Sequence, residues 1–217
     1  MNQKLYGGRI ERLRDATVIA VLRMSSVGLA IEAIGSGVRG GFEAVEVTMN
    51  TPDATDAIAE AAGGIDAMIG AGTIIEPAQV KEAYDAGAEF IVTPVVVPEV
   101  VEAAHSLSIP IAMGASTPTE ILTARRAGAD WVKIFPVEQL GGPDYLRMIL
   151  GPLSGTPVMV TGGLTAENYL SYLDAGAELA GFTTAVFDPL LAQEGRFDEI
   201  ERRSIEVHRR LDLYTTE

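Results

Sequence analysis

The sequence predicts a (β/α)8 barrel, and three observations lead to that prediction. Eight short apolar runs rich in Val and Ile alternate along the 217 residues with alanine-rich, amphipathic segments. The apolar runs lack regular polar alternation, which is typical of parallel strands covered on both faces. A glycine suited to ending a helix precedes several runs, at Gly41, Gly87, Gly128 and Gly176. Eight such units fit one barrel domain over 1–217; a doubly wound open sheet is the alternative, although no GxGxxG follows the first run.

The individual elements follow from this alternation. The predicted strands cover residues 17–22, 43–48, 67–72, 89–93, 109–113, 130–135, 157–161 and 178–183. An extra polar helix precedes the first strand, and a charged helix covers about 197–213. Two helix starts carry capping signals. Thr51-Pro52 places a capping residue before a proline, and in Thr117-Pro118-Thr119-Glu120 the glutamate is expected to complete a capping box.

Composition excludes several classes of protein. The chain has 16 basic and 30 acidic side chains, a net charge of −14, no cysteine and two histidines. It therefore has no disulfide framework, thiol nucleophile or thiolate metal site, and its acidity argues against nucleic-acid binding. The acidity fits high solubility or a high-salt habitat. The polar start MNQKLYGGRIERLRD lacks the apolar core of a signal peptide, and no apolar run is long enough to span a bilayer, so we expect a cytoplasmic protein.

Lys133 is the most informative of the three lysines. Catalytic side chains of such barrels lie at the C-terminal ends of the strands, and Lys133 lies near the end of the sixth, within the apolar run Trp131-Val132-Lys133-Ile134-Phe135. Desolvation favours a neutral amine, which is the form that attacks a ketone to give a Schiff base. The alternative is a lysine paired with a structural carboxylate. Lys4 and Lys81 lie in polar helical segments and are expected to face solvent.

Glu46 is the natural partner of Lys133. Strand alternation places Ala44, Glu46 and Thr48 on one face of the second strand and Val45 and Val47 on the other. If the first face is the barrel interior, Glu46 is a buried carboxylate near the mouth and is suited to general acid/base catalysis. The alternative is an ion pair with Arg23 or Lys133, and the two interpretations are compatible.

The ends of the last two strands predict a phosphate site. Gly162 and Gly163 follow the seventh strand and precede a helical segment, so exposed backbone N–H groups and a helix N-terminus would face an anion. Thr183 and Thr184, after the eighth strand, would complete the same cup. The chain has other Gly-Gly pairs, so the position after the seventh strand carries this prediction. Phe135 and Pro136 fit either core packing or a wall of the site.

Several strings together resemble the 2-keto-3-deoxy-6-phosphogluconate (KDPG) aldolase and 4-hydroxy-2-oxoglutarate (KHG) aldolase family. They are VIAVLR (18–23), EAVEVTMNTPDA (43–54), IGAGTI (69–74), FIVTP (90–94), IPIAMGASTPTEI (109–121), GADWVKIFPVEQLGG (128–142), YLRMILGPL (145–153) and PVMVTGGL (157–164). The resemblance covers roughly residues 10–190, and VKIFP and GASTPTE are its specific parts. It implies a homotrimeric class I aldolase on a (β/α)8 barrel, working without a metal or cofactor.

The resemblance also implies roles for individual residues. By it, Lys133 forms the Schiff base and Glu46 is the general acid/base. The implied substrate-binding residues are Arg23 for the carboxylate or phosphate side, Thr73 and Thr161 in the pyruvate pocket, Pro94 and Phe135 as its walls, and Gly162, Gly163, Thr183 and Thr184 for phosphate.

Two positions depart from the usual pattern of this family. Asn50 stands where many members carry an arginine that meets the keto-acid carboxylate, and galactonate-type relatives show an asparagine there. Gly181-Phe182 replaces a usual Gly-Ser pair, so Phe182 is expected to crowd the phosphate cup. Both departures concern phosphate use and sugar stereochemistry.

The function predicted from the sequence is retro-aldol cleavage of 2-keto-3-deoxy-6-phosphogluconate to pyruvate and glyceraldehyde 3-phosphate. Within the same class, the alternatives are 4-hydroxy-2-oxoglutarate, 2-keto-3-deoxy-6-phosphogalactonate and unphosphorylated keto-deoxy sugar acids. An isomerase or epimerase that binds phosphate and uses Lys133 only as a charge is the alternative from another class. A non-catalytic barrel protein would be expected to lack the acid–lysine pair.

Overall fold

Eight parallel strands form a closed barrel in the computed structural model, which describes residues 2–216. Each strand pairs with the next along the chain, and β8 pairs with β1. The strands are β1 (Val18–Leu22), β2 (Ala44–Thr48), β3 (Met68–Gly72), β4 (Phe90–Thr93), β5 (Ile111–Ala115), β6 (Trp131–Ile134), β7 (Val158–Thr161) and β8 (Leu179–Phe182). The (β/α)8 prediction is confirmed, and the doubly wound alternative is wrong because the sheet has no open edge.

Helices connect the strands and flank the barrel at both chain ends. Within residues 2–216 they are α1 (Gln3–Ala16), α2 (Val27–Arg39), α3 (Ala54–Gly64), α4 (Pro77–Asp85), α5 (Pro98–Ser106), α6 (Pro118–Arg126), α7 (Gly142–Leu150), α8 (Tyr169–Asp174), α9 (Pro189–Gln193) and α10 (Phe197–Thr215). The N-terminal and C-terminal helices lie where the sequence predicted them. None of these helices is long and apolar enough to cross a membrane.

Strand side chains alternate between two apolar layers. The layer inside the barrel contains Ile19, Ala44, Met68, Phe90, Trp131, Met159 and Leu179. The layer between strands and helices contains Val45, Val47, Val132 and Phe182. The predicted alternation of β2 is therefore confirmed, with Ala44 and Glu46 on the interior face.

Helix α1 covers the N-terminal end of the barrel. Its Leu13 and Ala16 join the interior apolar layer. Arg9 donates to the Ser108 carbonyl at 2.9 Å, and Arg12 reaches the Glu89 carboxylate at 2.9 Å. Ser108 and Glu89 lie just before β5 and β4, so α1 crosses the ends at which the strands begin. At the opposite, C-terminal end of the barrel, called the open end below, Arg23, Asn50 and Phe135 are exposed.

Three local predictions need correction. Thr51 does not cap α3: its N–H donates to the Thr48 carbonyl in a turn, its side chain is buried, and the helix begins only at Ala54. Strand β5 covers 111–115 rather than 109–113, because Pro110 has no N–H to donate and Gly114 pairs in register with Lys133.

Thr117 does cap α6, accepting the Glu120 N–H. The Glu120 carboxylate, however, accepts the N–H of Ser116 at 2.8 Å rather than that of Thr117.

Candidate active site

Lys133 and Glu46 meet inside the open end of the barrel. Lys133 Nζ lies 3.8 Å from Glu46 Oε1, and their side chains are 7% and 1% exposed. Both side chains project into the barrel. Lys133 lies on β6 two residues after the interior Trp131, and Glu46 lies on β2 two residues after the interior Ala44. The pair of lysine and carboxylate expected from the sequence is therefore formed, and it is buried at the strand ends where catalysis is expected; the acid/base role of Glu46 stays a prediction.

The Glu46 carboxylate is fully buried. Neither carboxylate oxygen has a hydrogen-bond partner within residues 2–216. Burial raises the pKa of Glu46 above its ordinary value, while the charges of Lys133 and Arg23 act in the opposite direction. A carboxylate in this state takes and releases a proton closer to neutral pH than an exposed glutamate does.

Gly72 makes room for the Glu46 carboxylate. A Cβ atom at position 72 would overlap Glu46 Oε1, and a Cβ at position 70, one layer lower, would overlap the Phe90 ring. Sequence reasoning gave Gly72 no role. The available signal was two glycines spaced two residues apart on one strand, which face the same side.

Arg23 and Asn50 form a polar pair at the rim. Arg23 Nε donates to Asn50 Oδ1 at 3.1 Å, and both residues are exposed. Behind them, Thr48 Oγ1 donates to the Leu22 carbonyl at 3.0 Å and fixes the end of β1 to the end of β2. The terminal nitrogens of Arg23 have no acceptor within the described residues, so they are available to an anion.

The residues predicted to line the pyruvate pocket lie at or just after the C-terminal ends of their strands. The Phe135 ring centroid is 5.7 Å from Lys133 Nζ, and Phe135 is 39% exposed, so it is a wall of the site and not core packing. The backbone of Pro94 lies against Gly114, where a Cβ atom would overlap it. Thr73 follows β3 with a left-handed φ of 58° and is half-buried. Thr161 Oγ1 donates to the Gly181 carbonyl at 3.2 Å and ties β7 to β8.

The two glycines after β7 present backbone donors at the open end. Gly162 and Gly163 have φ values of 92° and 87°, a conformation that favours glycine. Their N–H groups meet no acceptor within residues 2–216, and the same holds for Thr183 and Thr184 after β8. The expected helix dipole is absent from this cup, because α8 is only six residues long and begins at Tyr169, after a turn.

Phe182 does not crowd this cup, contrary to expectation. Its ring is fully buried in the outer layer, 5.2 Å from the Tyr169 ring centroid and 6.1 Å from that of Phe42. The neighbouring residue that faces the interior is Gly181, because side chains alternate along β8. The phenylalanine that stands where the family usually has a serine therefore packs between the barrel and its helices, and not in the cup.

The two histidines lie far from Lys133 in the fold. His105 on α5 contacts Tyr6 and Asp130 at the N-terminal end of the barrel, and His208 on α10 contacts the Ser204 carbonyl. In the part of the chain that the structure describes, no three His, Asp or Glu side chains are grouped as ligands for a metal ion.

A family model described as KDPG and KHG aldolase matches residues 10–203. The 2-dehydro-3-deoxy-6-phosphogalactonate aldolase of Escherichia coli K12 is 36% identical over 174 residues, 78% of this chain and 84% of the relative. The 2-dehydro-3-deoxy-phosphogluconate aldolase of Haemophilus influenzae is 32% identical over 199 residues, 91% of this chain and 94% of the relative.

Solved structures agree with these sequence matches. A structure described as native KDPGal superposes with a TM-score of 0.83 at 30% identity, covering 92% of this chain and 96% of its own. The KDPG aldolase of Legionella pneumophila, with pyruvate captured as a covalent carbinolamine, gives a TM-score of 0.84 at 26% identity, covering 93% and 97%.

Proposed function

The chain belongs to the KDPG and KHG aldolase family, and on that basis we propose that it cleaves a phosphorylated 2-keto-3-deoxy sugar acid through an imine on Lys133. The observation that carries this proposal is the buried pair of Lys133 Nζ and Glu46 Oε1 at 3.8 Å, at the open end of the barrel. The Legionella structure supports it, since a carbinolamine is what an amine forms with a ketone before water leaves.

Imine formation comes first in this mechanism. The neutral Lys133 amine attacks the C2 ketone and gives a carbinolamine. Glu46 in its acid form protonates the departing C2 hydroxyl, and water leaves as the iminium forms. The raised pKa of Glu46 suits this step, because a proton has to be available near neutral pH.

Carbon–carbon cleavage follows with Glu46 as the base. The Glu46 carboxylate takes the proton of the C4 hydroxyl, the C3–C4 bond breaks, and its electron pair moves into the iminium to give an enamine. The aldehyde leaves, Glu46 returns the proton to C3, and water hydrolyses the resulting iminium to pyruvate and free Lys133. Because the Glu46 oxygens accept no hydrogen bond from the described residues 2–216, they are free to face the substrate.

The two ends of the substrate are assigned to different groups. Arg23 and Asn50 lie at the rim beside β1 and β2, where Arg23 offers a charge to the carboxylate. The free N–H groups of Gly162, Gly163, Thr183 and Thr184 would take the phosphate as a backbone cup. Thr73, Thr161, Pro94 and Phe135 would enclose the pyruvate portion.

Two epimeric substrates are candidates. 2-Keto-3-deoxy-6-phosphogluconate is the first, as the sequence predicted, and it would give pyruvate and glyceraldehyde 3-phosphate. The 6-phosphogalactonate epimer is the second, because position 50 carries the asparagine that galactonate-type relatives show and a phosphogalactonate aldolase is 36% identical to this chain over 174 residues. Steady-state rates with both epimers, with and without phosphate, and with 4-hydroxy-2-oxoglutarate would rank the candidate substrates. Repeating these measurements across a range of salt concentrations tests whether the acidity reflects a high-salt habitat.

Borohydride trapping tests the chemistry directly. Reduction in the presence of pyruvate should add a mass to the peptide that carries Lys133, and Lys133→Arg should lose both the adduct and the activity. An isomerase that uses Lys133 only as a charge would form no adduct and would keep part of its activity in that variant.

That the protein is a homotrimer and works in the cytoplasm stays a prediction. Light scattering measures the number of subunits.

A further inference from the structure

The loop after β8 is anchored unevenly. The Thr183 carbonyl accepts N–H groups from Val186 at 3.1 Å and Phe187 at 2.8 Å, and the last two residues are buried in the core. Thr184 is exposed and Ala185 is half-buried. The part of the loop nearest the proposed phosphate cup is thus the part that the core does not hold.

The side chain of Arg203 on α10 reaches this part of the loop. Its Nη1 donates to the Ala185 carbonyl at 3.0 Å, while its Nε donates to Glu199 Oε1 at 2.8 Å. A cleft of about 280 Å³ lies here, lined by the β7–α8 loop, by Ala185 and Val186, and by Arg202, Arg203 and Glu206 of α10. Beside this cleft, the Arg203 guanidinium bridges α10 to the loop through the Ala185 carbonyl.

Arg203 itself is held firmly. Glu199 also accepts two hydrogen bonds from Arg202, and both arginines lower the pKa of Glu199 to about 2, so this carboxylate stays ionised at ordinary pH. The next residue, Ser204, is fully buried against Gly40, where a Cβ atom would overlap it. The planar guanidinium therefore has a fixed base from which to orient the Ala185 carbonyl.

We propose that Arg203 is a positioning residue for phosphate selectivity. By holding the Ala185 carbonyl, it fixes the loop so that the N–H groups of Thr183 and Thr184 face the same anion as those of Gly162 and Gly163. This inference rests on the proposed function of the site.

A matched pair of variants tests the proposal. Arg202 and Arg203 are adjacent and share Glu199, but Arg203 is the one bonded to the loop. The measurement is kcat/KM for a phosphorylated 2-keto-3-deoxy sugar acid and for its unphosphorylated form. Arg203→Gln should reduce the phosphorylated-to-unphosphorylated ratio about tenfold, mainly through KM, and Arg202→Gln should change it by less than about twofold. Equal ratios in the two variants would overturn the proposal.

Two further measurements keep the test decisive. If Arg203→Gln does not fold, Arg203→Lys retains the charge but has a single donor nitrogen in place of the two that bond Glu199 and Ala185, so it should still lower the ratio by about threefold; an unchanged ratio overturns the proposal. Pyruvate trapping on Lys133 separates the two levels. If the wild type forms the pyruvate adduct and Arg203→Gln leaves the phosphorylated-to-unphosphorylated ratio unchanged, only the role of Arg203 is wrong. If the wild type forms no adduct, the proposed function itself is wrong.

Discussion

The two ends of the barrel differ in how far their polar groups are paired with one another. At the N-terminal end, α1 buries Leu13 against the interior layer, and polar groups are paired, as in the bond from Trp131 Nε1 to Glu178 at 2.9 Å. At the C-terminal end, Glu46 is buried without a hydrogen bond, and the loop N–H groups after β7 and β8 have no acceptor within residues 2–216. Within residues 2–216, Arg9 Nε is the one buried polar side-chain atom at the first end without a hydrogen-bond partner, whereas at the second end both oxygens of the Glu46 carboxylate lack one.

Strand β6 connects the two ends of the barrel within a few residues. Trp131 and Lys133 face the same interior, two residues apart, yet the first lies in the closed apolar layer and the second beside Glu46. Desolvating Lys133 and Glu46 costs free energy that apolar residues at the same positions would not cost. We therefore expect substitutions at the N-terminal end to change stability and substitutions at the C-terminal end to change activity.

The largest expected effect is at Lys133. Lys133→Met removes the nucleophile, and we expect kcat to fall by about 10⁴-fold or more. In the double variant Lys133→Met/Glu46→Leu, apolar side chains replace both buried charges, so the free energy of unfolding should stay equal or rise by about 1–4 kcal/mol. Urea titration and steady-state kinetics measure both quantities. A double variant that is much less stable would show that the pair also holds the fold.

The matching change at the closed end is Leu13→Ala. It removes a side chain that is 2% exposed in the interior layer, and we expect a loss of about 2–5 kcal/mol in the free energy of unfolding. The folded fraction should retain kcat within about twofold, because Leu13 lies at the far end of the barrel from Lys133. A large fall in kcat at a temperature where the variant is folded would contradict this separation.

Gly70 and Gly72 test the boundary between the two ends. Gly72→Ala forces its methyl group into the Glu46 carboxylate, and we expect kcat to fall by about 100-fold because the acid/base group is displaced. Gly70→Ala forces the same group into the Phe90 ring and should cost about 1–3 kcal/mol of stability, with kcat changed by less than about fivefold. Similar losses of kcat in both would mean that the two layers are mechanically coupled.

The smallest expected effect is a pH dependence at the closed end. Burial and Asp130 raise the pKa of the Tyr6 phenol above its ordinary value. A raised pKa in the folded state means that the stability contribution is present below about pH 10 and is lost as the pH rises above it.

Between pH 9 and 11 the wild type should lose stability relative to Tyr6→Phe by less than about 1 kcal/mol, with kcat at neutral pH unaffected. Urea midpoints of both proteins across that range measure the difference. Parallel curves would show that Tyr6 does not contribute to it.

Much of the fold was predictable because it depends on local patterns. Seven strands lie within one residue of their predicted ends, and the glycines at 41, 87, 128 and 176 have the expected positive φ. The errors lie where a tertiary contact replaces a local preference. Thr51 turns back onto Thr48 and does not cap a helix, and β5 extends through Gly114 because that residue pairs with Lys133.

The sequence by itself determined which chemistry the chain can perform. It has no cysteine, it places one lysine within an apolar strand, and strand alternation puts Glu46 on the face opposite Val45 and Val47. The tertiary structure decided distances and directions. Closure of the barrel brought Lys133 and Glu46 to 3.8 Å, turned Phe182 outward against Tyr169, and required Gly72 beside the carboxylate. Periodicity fixes the face on which a side chain lies, whereas its neighbours across the barrel depend on strand register and closure, which no local pattern specifies.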